Sequence, residues 1–367
     1  VSPLVPVAPK AIDVLVVDDA VVIRKLVGDV LAEDPGLRVV GTAADGRIAL
    51  QKLLQVKPDV VTLDFEMPGL DGLETLKAIR TTHPKLPVIM FSTVTARGAV
   101  QTLDALAHGA SDYVTKPANV GSVTEAQQRI REQLIPKIKA LCGRQTAPVA
   151  PGPTGKAMPA TRVMARGPAA SPDAVVIGVS TGGPNALAEL LPMLPKDLPV
   201  PVLIVQHMPP MFTKMLAERL NKQCQLRVVE ATAGMVVEPG TVYLAPGDSH
   251  LTVARRGADV VTALNQDAQE NSCRPAVDPL FRSAAAVWGE RLLGVVLTGM
   301  GQDGLRGAEE ITRLRGRVLA QDQATSVVWG MPGFVVGAGL ADAVLPLGEL
   351  AGEIMRRTAT RAMRRGA

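Results

Sequence analysis

A chain of 367 residues, 47% apolar and 20% charged, is too long for one ordinary hydrophobic core and too apolar for a disordered protein. The net charge of +4 is small for this length, and no apolar run approaches the roughly 18 residues that a membrane span requires. Cys142, Cys224 and Cys273 lie far apart without a C-x-x-C spacing, which argues against a disulfide framework or a zinc site and suits a reducing, cytoplasmic setting.

In chain order, the opening VSPLVPVAP has prolines where a signal peptide needs a helical apolar segment. From Ile12 onward, short β-branched runs (VLVVDD, RVVGTA, VVTLDF, PVIMFS, DYVTKP) alternate with segments such as VVIRKLVGDVLAED and LDGLETLKAIRTTH, which repeat apolar residues near a 3.6 period. That alternation predicts an α/β domain, a doubly wound, flavodoxin-like parallel sheet covered on both faces, over residues 12–135. Ligands of such sheets gather at the carboxyl ends of the strands. Asp18, Asp19 and Asp64 all fall there, and three carboxylates brought together repel unless a cation joins them; Mg²⁺ with oxygen ligands answers that need. Ser92 ends the fourth strand and Lys116 the fifth, where a hydroxyl and an ammonium are suited to hold phosphoryl oxygens.

The motifs VVDD, LDFEMPGLDGLE, FSTVTARG and DYVTKP resemble those of a response-regulator receiver domain. The resemblance implies that Asp64 is the phospho-accepting nucleophile, that Asp18, Asp19 and Asp64 hold Mg²⁺ together with the Glu66 backbone carbonyl, and that Ser92 and Lys116 bind the phosphoryl group. Thr93 is adjacent, so either hydroxyl fits that part. Tyr113 would report the switch state, and a histidine kinase would be the phosphodonor.

Residues 136–173 are expected to hold a helix end and a linker, because proline, alanine and glycine dominate and no period survives. A second α/β domain with a mainly parallel sheet is predicted over 174–355, with strands in AVVIGVS, VPVLIVQH, RVVEA, TVYLAP, LTVARR, RLLGVVLTG and GRVLAQD. Its first strand runs into IGVSTGGPNAL, where Gly178, Ser180 and Gly182 fit G-x-S-x-G, a nucleophile on a strand-to-helix turn. The same letters also fit a glycine-rich helix start that binds an anion. A serine nucleophile needs a base and a group to orient it. Of His207 and His250, the first ends a strand directly and is the better base. Asp303 lies just past the strand LLGVVLTG, and backbone N–H groups of Thr181 and of the Gly299–Met300–Gly301 turn are placed to face an oxyanion. The order Ser, His, acid departs from the α/β-hydrolase order. The segment 356–367 carries Arg356, Arg357, Arg361, Arg364 and Arg365 and is expected to be a solvated, frayed basic tail.

IGVSTGGP, VQHMPPMFT, YLAPGDSHL, NSCRPAVDPLFRSAA and LTGMGQDGLRGA together resemble the catalytic domain of chemotaxis protein-glutamate methylesterases, the CheB family. With the receiver, the resemblance runs from about residue 12 to 350. It implies Ser180 as nucleophile, His207 as base, Asp303 as orienter and Met300 as an oxyanion donor. The implied substrates are methyl esters on glutamate side chains of chemoreceptor cytoplasmic helices, with deamidation of receptor glutamines by the same attack. It further implies that the unphosphorylated receiver covers the esterase site, and the chain is expected to be a monomer. The alternatives are a receiver-controlled hydrolase of another protein ester and a non-catalytic anion-binding module. A DNA-binding output is disfavoured, because it would be a compact helical module with a basic recognition helix.

Overall fold

The structure, a computed structural model, describes residues 10–116, 122–143 and 170–365. The chain divides into two compact units, ending at Ala150 and starting at Pro151. Most of the predicted linker, and Pro117, lie outside the described residues.

The first unit has strands β1 (Ile12–Val17), β2 (Leu37–Ala43), β3 (Val60–Asp64), β4 (Val88–Ser92) and β5 (Asp112–Thr115). They alternate with helices α1 (Val21–Ala32), α2 (Gly46–Val56), α3 (Gly72–Thr82), α4 (Ala96–Ala107) and α5 (Val123–Leu141). All strand pairs are parallel, in the order β2-β1-β3-β4-β5. Every residue of β1 is buried because helices cover both faces of the sheet. On one face Val14, Val16 and Val27 pack with Leu31, Ile130 and Leu134. The Asp71 side chain accepts from the Glu74 N–H while Glu74 reaches back to the Asp71 N–H, a reciprocal cap that starts α3 soon after β3.

In the second unit the elements are β6 (Ala174–Val179), α6 (Gly183–Leu190), β7 (Val202–Gln206), α7 (Phe212–Gln223), β8 (Arg227–Glu230), β9 (Thr241–Leu244), β10 (His250–Arg256) and β11 (Asp259–Asn265). They continue as α8 (Val277–Trp288), β12 (Leu292–Val296), α9 (Leu305–Arg313), β13 (Arg317–Gln321), α10 (Met331–Gly337), β14 (Ala343–Leu345) and α11 (Leu347–Arg365). The main sheet has seven strands in the order β14-β13-β12-β6-β7-β9-β8, every pair parallel. The run LTVARR does not join it. That run forms β10, which pairs antiparallel with β11 as a separate hairpin. The sequence reading missed β11 and the three-residue edge strand β14, the first because DVVTALN follows its partner after a tight turn, the second because it is too short to show a period.

The basic tail also differs from expectation. Helix α11 continues through Arg365, and Arg356 and Arg357 both pair with Glu353, at 2.7 Å each. An acidic residue one turn earlier is the partner that the string of arginines concealed.

Candidate active site and phosphoryl site

Register sets the second unit's site. Val179 of β6 lies opposite Gln206 of β7, and Gly178 of β6 lies opposite Val296 of β12. Ser180, His207 and the loop carrying Asp303 therefore leave three adjacent strands at the same edge of the sheet. The chain turns from β6 into α6 through Gly182, at φ 79°, whereas Ser180 itself is not at positive φ. A side chain at Gly182 would be strained by that backbone and would also strike Val327 at 2.7 Å.

Backbone bonds fix the serine. Its N–H donates to Thr298 O at 3.0 Å, and its carbonyl accepts from the buried Gln206 Nε2 at 3.0 Å. The same amide donates to His207 O at 3.2 Å, and the His207 N–H donates to Val179 O at 3.2 Å, so the Ser180 turn and the His207 turn are tied to each other. Gly299 is pressed against the serine: a Cβ there would lie 2.9 Å from Ser180 Cβ.

His207 Nε2 meets Asp303 Oδ2 at 2.7 Å. Asp303, 2% exposed, is held on all sides. Val277 and Asp278 N–H groups donate to it at 2.6 and 3.1 Å, as does Gly304 N–H at 2.9 Å. Two of those donors open α8, so a helix N-terminus stabilises the carboxylate. Burial alone favours the neutral acid, but the His207 contact and these N–H groups outweigh it and hold Asp303 below the usual carboxylate range. For His207, burial opposes the charged ring, yet Cys273 and Asp303 together raise it above the ordinary histidine value.

Four residues bearing on this site escaped the sequence reading. Asn271 Nδ2 donates to Asp303 Oδ1 at 3.0 Å and to Asp278 Oδ2 at 3.1 Å, bridging two buried carboxylates. Asp278, 1% exposed, is pushed up to about 6 by burial and by the charge of Asp303. Cys273 Sγ lies 3.6 Å from His207 Nδ1, and Gln206 ties the two turns as described. For Asn271, Cys273 and Asp278 the only signal was the polar cluster NSCRPAVD ahead of an apolar helix, which names no chemistry by itself, and Gln206 reads only as the last residue of a strand. His250 belongs to the support: its Nδ1 accepts from Ala276 N–H at 3.2 Å and its Nε2 faces Ala268 O at 3.1 Å. Thr181 is buried and its carbonyl accepts from Thr298 Oγ1 at 2.9 Å, while Met300 is half-buried beyond Gly299.

In the first unit, ligating oxygens of Asp18, Asp19 and Asp64 lie within 4.8 Å of one another. Lys116 Nζ is 2.7 Å from Asp64 Oδ2 and 3.2 Å from Asp18 Oδ2, and apart from this ion pairing neither of these buried oxygens has a hydrogen-bond partner among the described residues. One ammonium against three carboxylates leaves negative charge uncompensated, which fits a hard divalent cation such as Mg²⁺. Asp64 is pushed up to about 6 by burial, with Asp18 adding to it against the pull of Lys116. The Glu66 side chain is exposed and outside the cluster. Ser92 Oγ is turned into α4, accepting from Thr102 Oγ1 at 2.6 Å and donating to Gly98 O at 3.2 Å. Thr93 Oγ1 lies 3.3 Å from Thr95 Oγ1. Tyr113 is buried beneath Lys137, whose Nζ sits 5.1 Å from the ring centroid.

Comparison with known proteins matches residues 175–354 to a family model described as CheB methylesterase and residues 14–128 to one described as response regulator receiver domain. A protein-glutamate methylesterase/protein-glutamine glutaminase of Nocardioides sp. is 57% identical over 353 residues, covering 95% of this chain and 96% of that protein. One of the same description from Trichodesmium erythraeum is 52% identical over 349 residues, covering 94% and 98%. Among solved structures, the CheB methylesterase catalytic domain of Thermotoga maritima is 44% identical with a TM-score of 0.50, covering 51% of this chain and 99% of that one.

Proposed function

The chain belongs to the CheB methylesterase family, and from that premise we propose that Ser180, His207 and Asp303 carry its protein-glutamate methylesterase and protein-glutamine glutaminase activity under control of phosphorylation at Asp64. The observation that carries the assignment is the contact of His207 with the buried Asp303, tied through Gln206 to the turn that presents Ser180.

With Nε2 committed to Asp303, Nδ1 is the nitrogen left to take the serine proton. Ser180 Oγ attacks the γ-carbonyl of a glutamate methyl ester as Nδ1 accepts its proton. Collapse of the tetrahedral intermediate breaks the bond to methoxide, which leaves as methanol with that proton. Water then attacks the acyl-enzyme, His207 again taking a proton, and the free carboxylate departs. A glutamine side chain follows the same course and releases ammonia. Thr181 and Met300 N–H groups are the proposed donors to the oxyanion.

In the receiver, Asp18, Asp19, Asp64 and the Glu66 carbonyl would hold Mg²⁺, which neutralises charge on the incoming phosphoryl group. Lys116 already contacts Asp64 and would stay with the phosphoryl oxygens. For Ser92 to join, its hydroxyl must leave Gly98 O. Chemoreceptor glutamates as substrate and a histidine kinase as phosphodonor complete the reading.

The test is methanol release from methylated receptor membranes. Ser180→Ala should lose about 10⁴-fold or more in kcat with unfolding unchanged. An organophosphate should label wild type at Ser180. Turnover by Ser180→Ala near the wild-type rate would remove the serine from the mechanism.

A further inference from the structure

The second ring nitrogen of His207 is in contact with a thiol. Among the described residues His207 makes two side-chain contacts, Nε2 to Asp303 at 2.7 Å and Nδ1 to Cys273 Sγ at 3.6 Å, and no hydrogen bond joins it to Ser180. Sulfur, imidazole and carboxylate thus stand in the relation that activates a thiol nucleophile: a base in contact with the S–H and a buried acid orienting that base. We propose that Cys273 is a second nucleophile of this site, a thiol activated by the His207–Asp303 pair and open to covalent modification by soft electrophiles, with loss of the esterase.

The sulfur is held in place. Cys273 sits in the segment between β11 and α8, where Glu270 and Cys273 bond to each other through their backbones at 2.9 and 3.2 Å. Glu270 is anchored to Arg282 of α8, and Arg274 to Asp248 at 2.7 Å. These clamps lie on both sides of Cys273, so the thiol is presented to Nδ1 by a braced loop. It is half-buried, leaving part of its surface open.

With a haloacetamide the step is a substitution. Sulfur attacks the methylene carbon, an S–C bond forms, the C–halogen bond breaks and halide leaves. The S–H proton passes to Nδ1. The carbamidomethyl group then occupies the position from which Nδ1 must reach Ser180, which blocks general-base catalysis at the serine. Sulfur is better suited than oxygen to this attack, so the electrophile is drawn to Cys273 rather than Ser180.

Cys142 and Cys224 are internal references in the same chain. Cys142 is half-buried like Cys273 but its Sγ faces the Asp59 carbonyl at 3.7 Å, and burial pushes the Cys224 thiol up to about 11. The full-length protein is treated with iodoacetamide at pH 7, the three sites are followed by peptide mass mapping, and methanol release is assayed on the same samples. The expected result is alkylation of Cys273 about tenfold faster than Cys142, with activity falling in step. His207→Gln should bring the Cys273 rate down to that of Cys142. Equal rates at Cys273 and Cys142 in wild type, or full activity after complete alkylation of Cys273, overturns the proposal. The activity arm rests on the esterase reading and the mapping arm does not. Wild type that releases no methanol refutes that reading, and the mapping rates then decide the thiol.

Discussion

As the proposed base, His207 would have to be neutral to take a proton, and its surroundings favour the opposite state. Cys273 and Asp303 raise it above the ordinary histidine value against the effect of burial, and Asp303 in turn interacts with Asp278 and Arg282. A raised base stays protonated further into neutral pH, so kcat/KM should still be climbing above pH 6.5, while Asp303, held low, stays ionised throughout. The stability contribution has the matching sign: the charged His207–Asp303 contact stabilises fully below the unfolded histidine value and fades as pH rises through the folded one. A pH–rate profile already flat at pH 6 would contradict this. Asn271 tests the carboxylate side. Its φ of 51° suits glycine, so Asn271→Gly removes the amide while sparing the backbone, and Asp303 and Asp278 lose their shared donor. The expected loss is about tenfold in kcat with little change in KM. Asn271→Asp, which adds a third carboxylate, should be worse. If both variants keep wild-type kcat, Asn271 has no part in orienting Asp303.

At the scale of elements, the loop from Gln266 to Ala276 delivers Asn271 and Cys273, and His250 at the start of β10 fastens it at two points. A neutral ring with its proton on Nε2 satisfies both contacts. In His250→Ala the Ala276 N–H loses its buried acceptor, which should cost about 1–3 kcal/mol in urea unfolding of the second unit. Esterase turnover should fall with it, while phosphorylation of Asp64 proceeds normally. Unchanged unfolding and turnover would show that the loop is held elsewhere. The same loop marks the limit of what the residue string discloses. The strands that end at Asp18, Asp64, Ser180 and His207 were legible because apolar runs of four to six residues break at a polar one, and parallel sheets bind ligands at that edge. Asp303 was legible for the same reason. The loop before α8 has no periodicity, and its function comes from side chains crossing to other elements: Asn271 to β12's loop, Cys273 to β7's, Arg274 to Asp248. Such pairings depend on tertiary placement and leave no spacing in the chain. The direction of the Ser92 hydroxyl, turned into α4 by Thr102, was hidden for the same reason.

For the whole molecule, Asp64 lies in one unit and Ser180 in the other, so a phosphodonor can affect esterase turnover only by biasing an arrangement of the entire chain between two states. The local change is in charge and size: an acyl phosphate replaces the single charge of the Asp64 carboxylate with about two, beside two further carboxylates and one lysine. Mg²⁺ and Lys116 must gather around it, and that gathering is what can shift such an equilibrium. A small acyl-phosphate donor with Mg²⁺ should therefore raise methanol release by the full chain, and chelation of the metal or Asp64→Ala should abolish the rise without reducing basal turnover. A chain starting at residue 170 contains every esterase residue named above, and the Thermotoga maritima relative's catalytic domain has been solved as a separate chain. That fragment should fold, turn over without a donor and ignore Mg²⁺. If the receiver's resting state inhibits, the fragment should run at or above the stimulated rate of the full chain, because removing the inhibitor shifts the population at least as far as phosphorylation does. A fragment that unfolds cooperatively in urea yet turns over no faster than the unstimulated full chain would mean that phosphorylation supplies something the esterase lacks, and inhibition by the receiver would be the wrong description of the control.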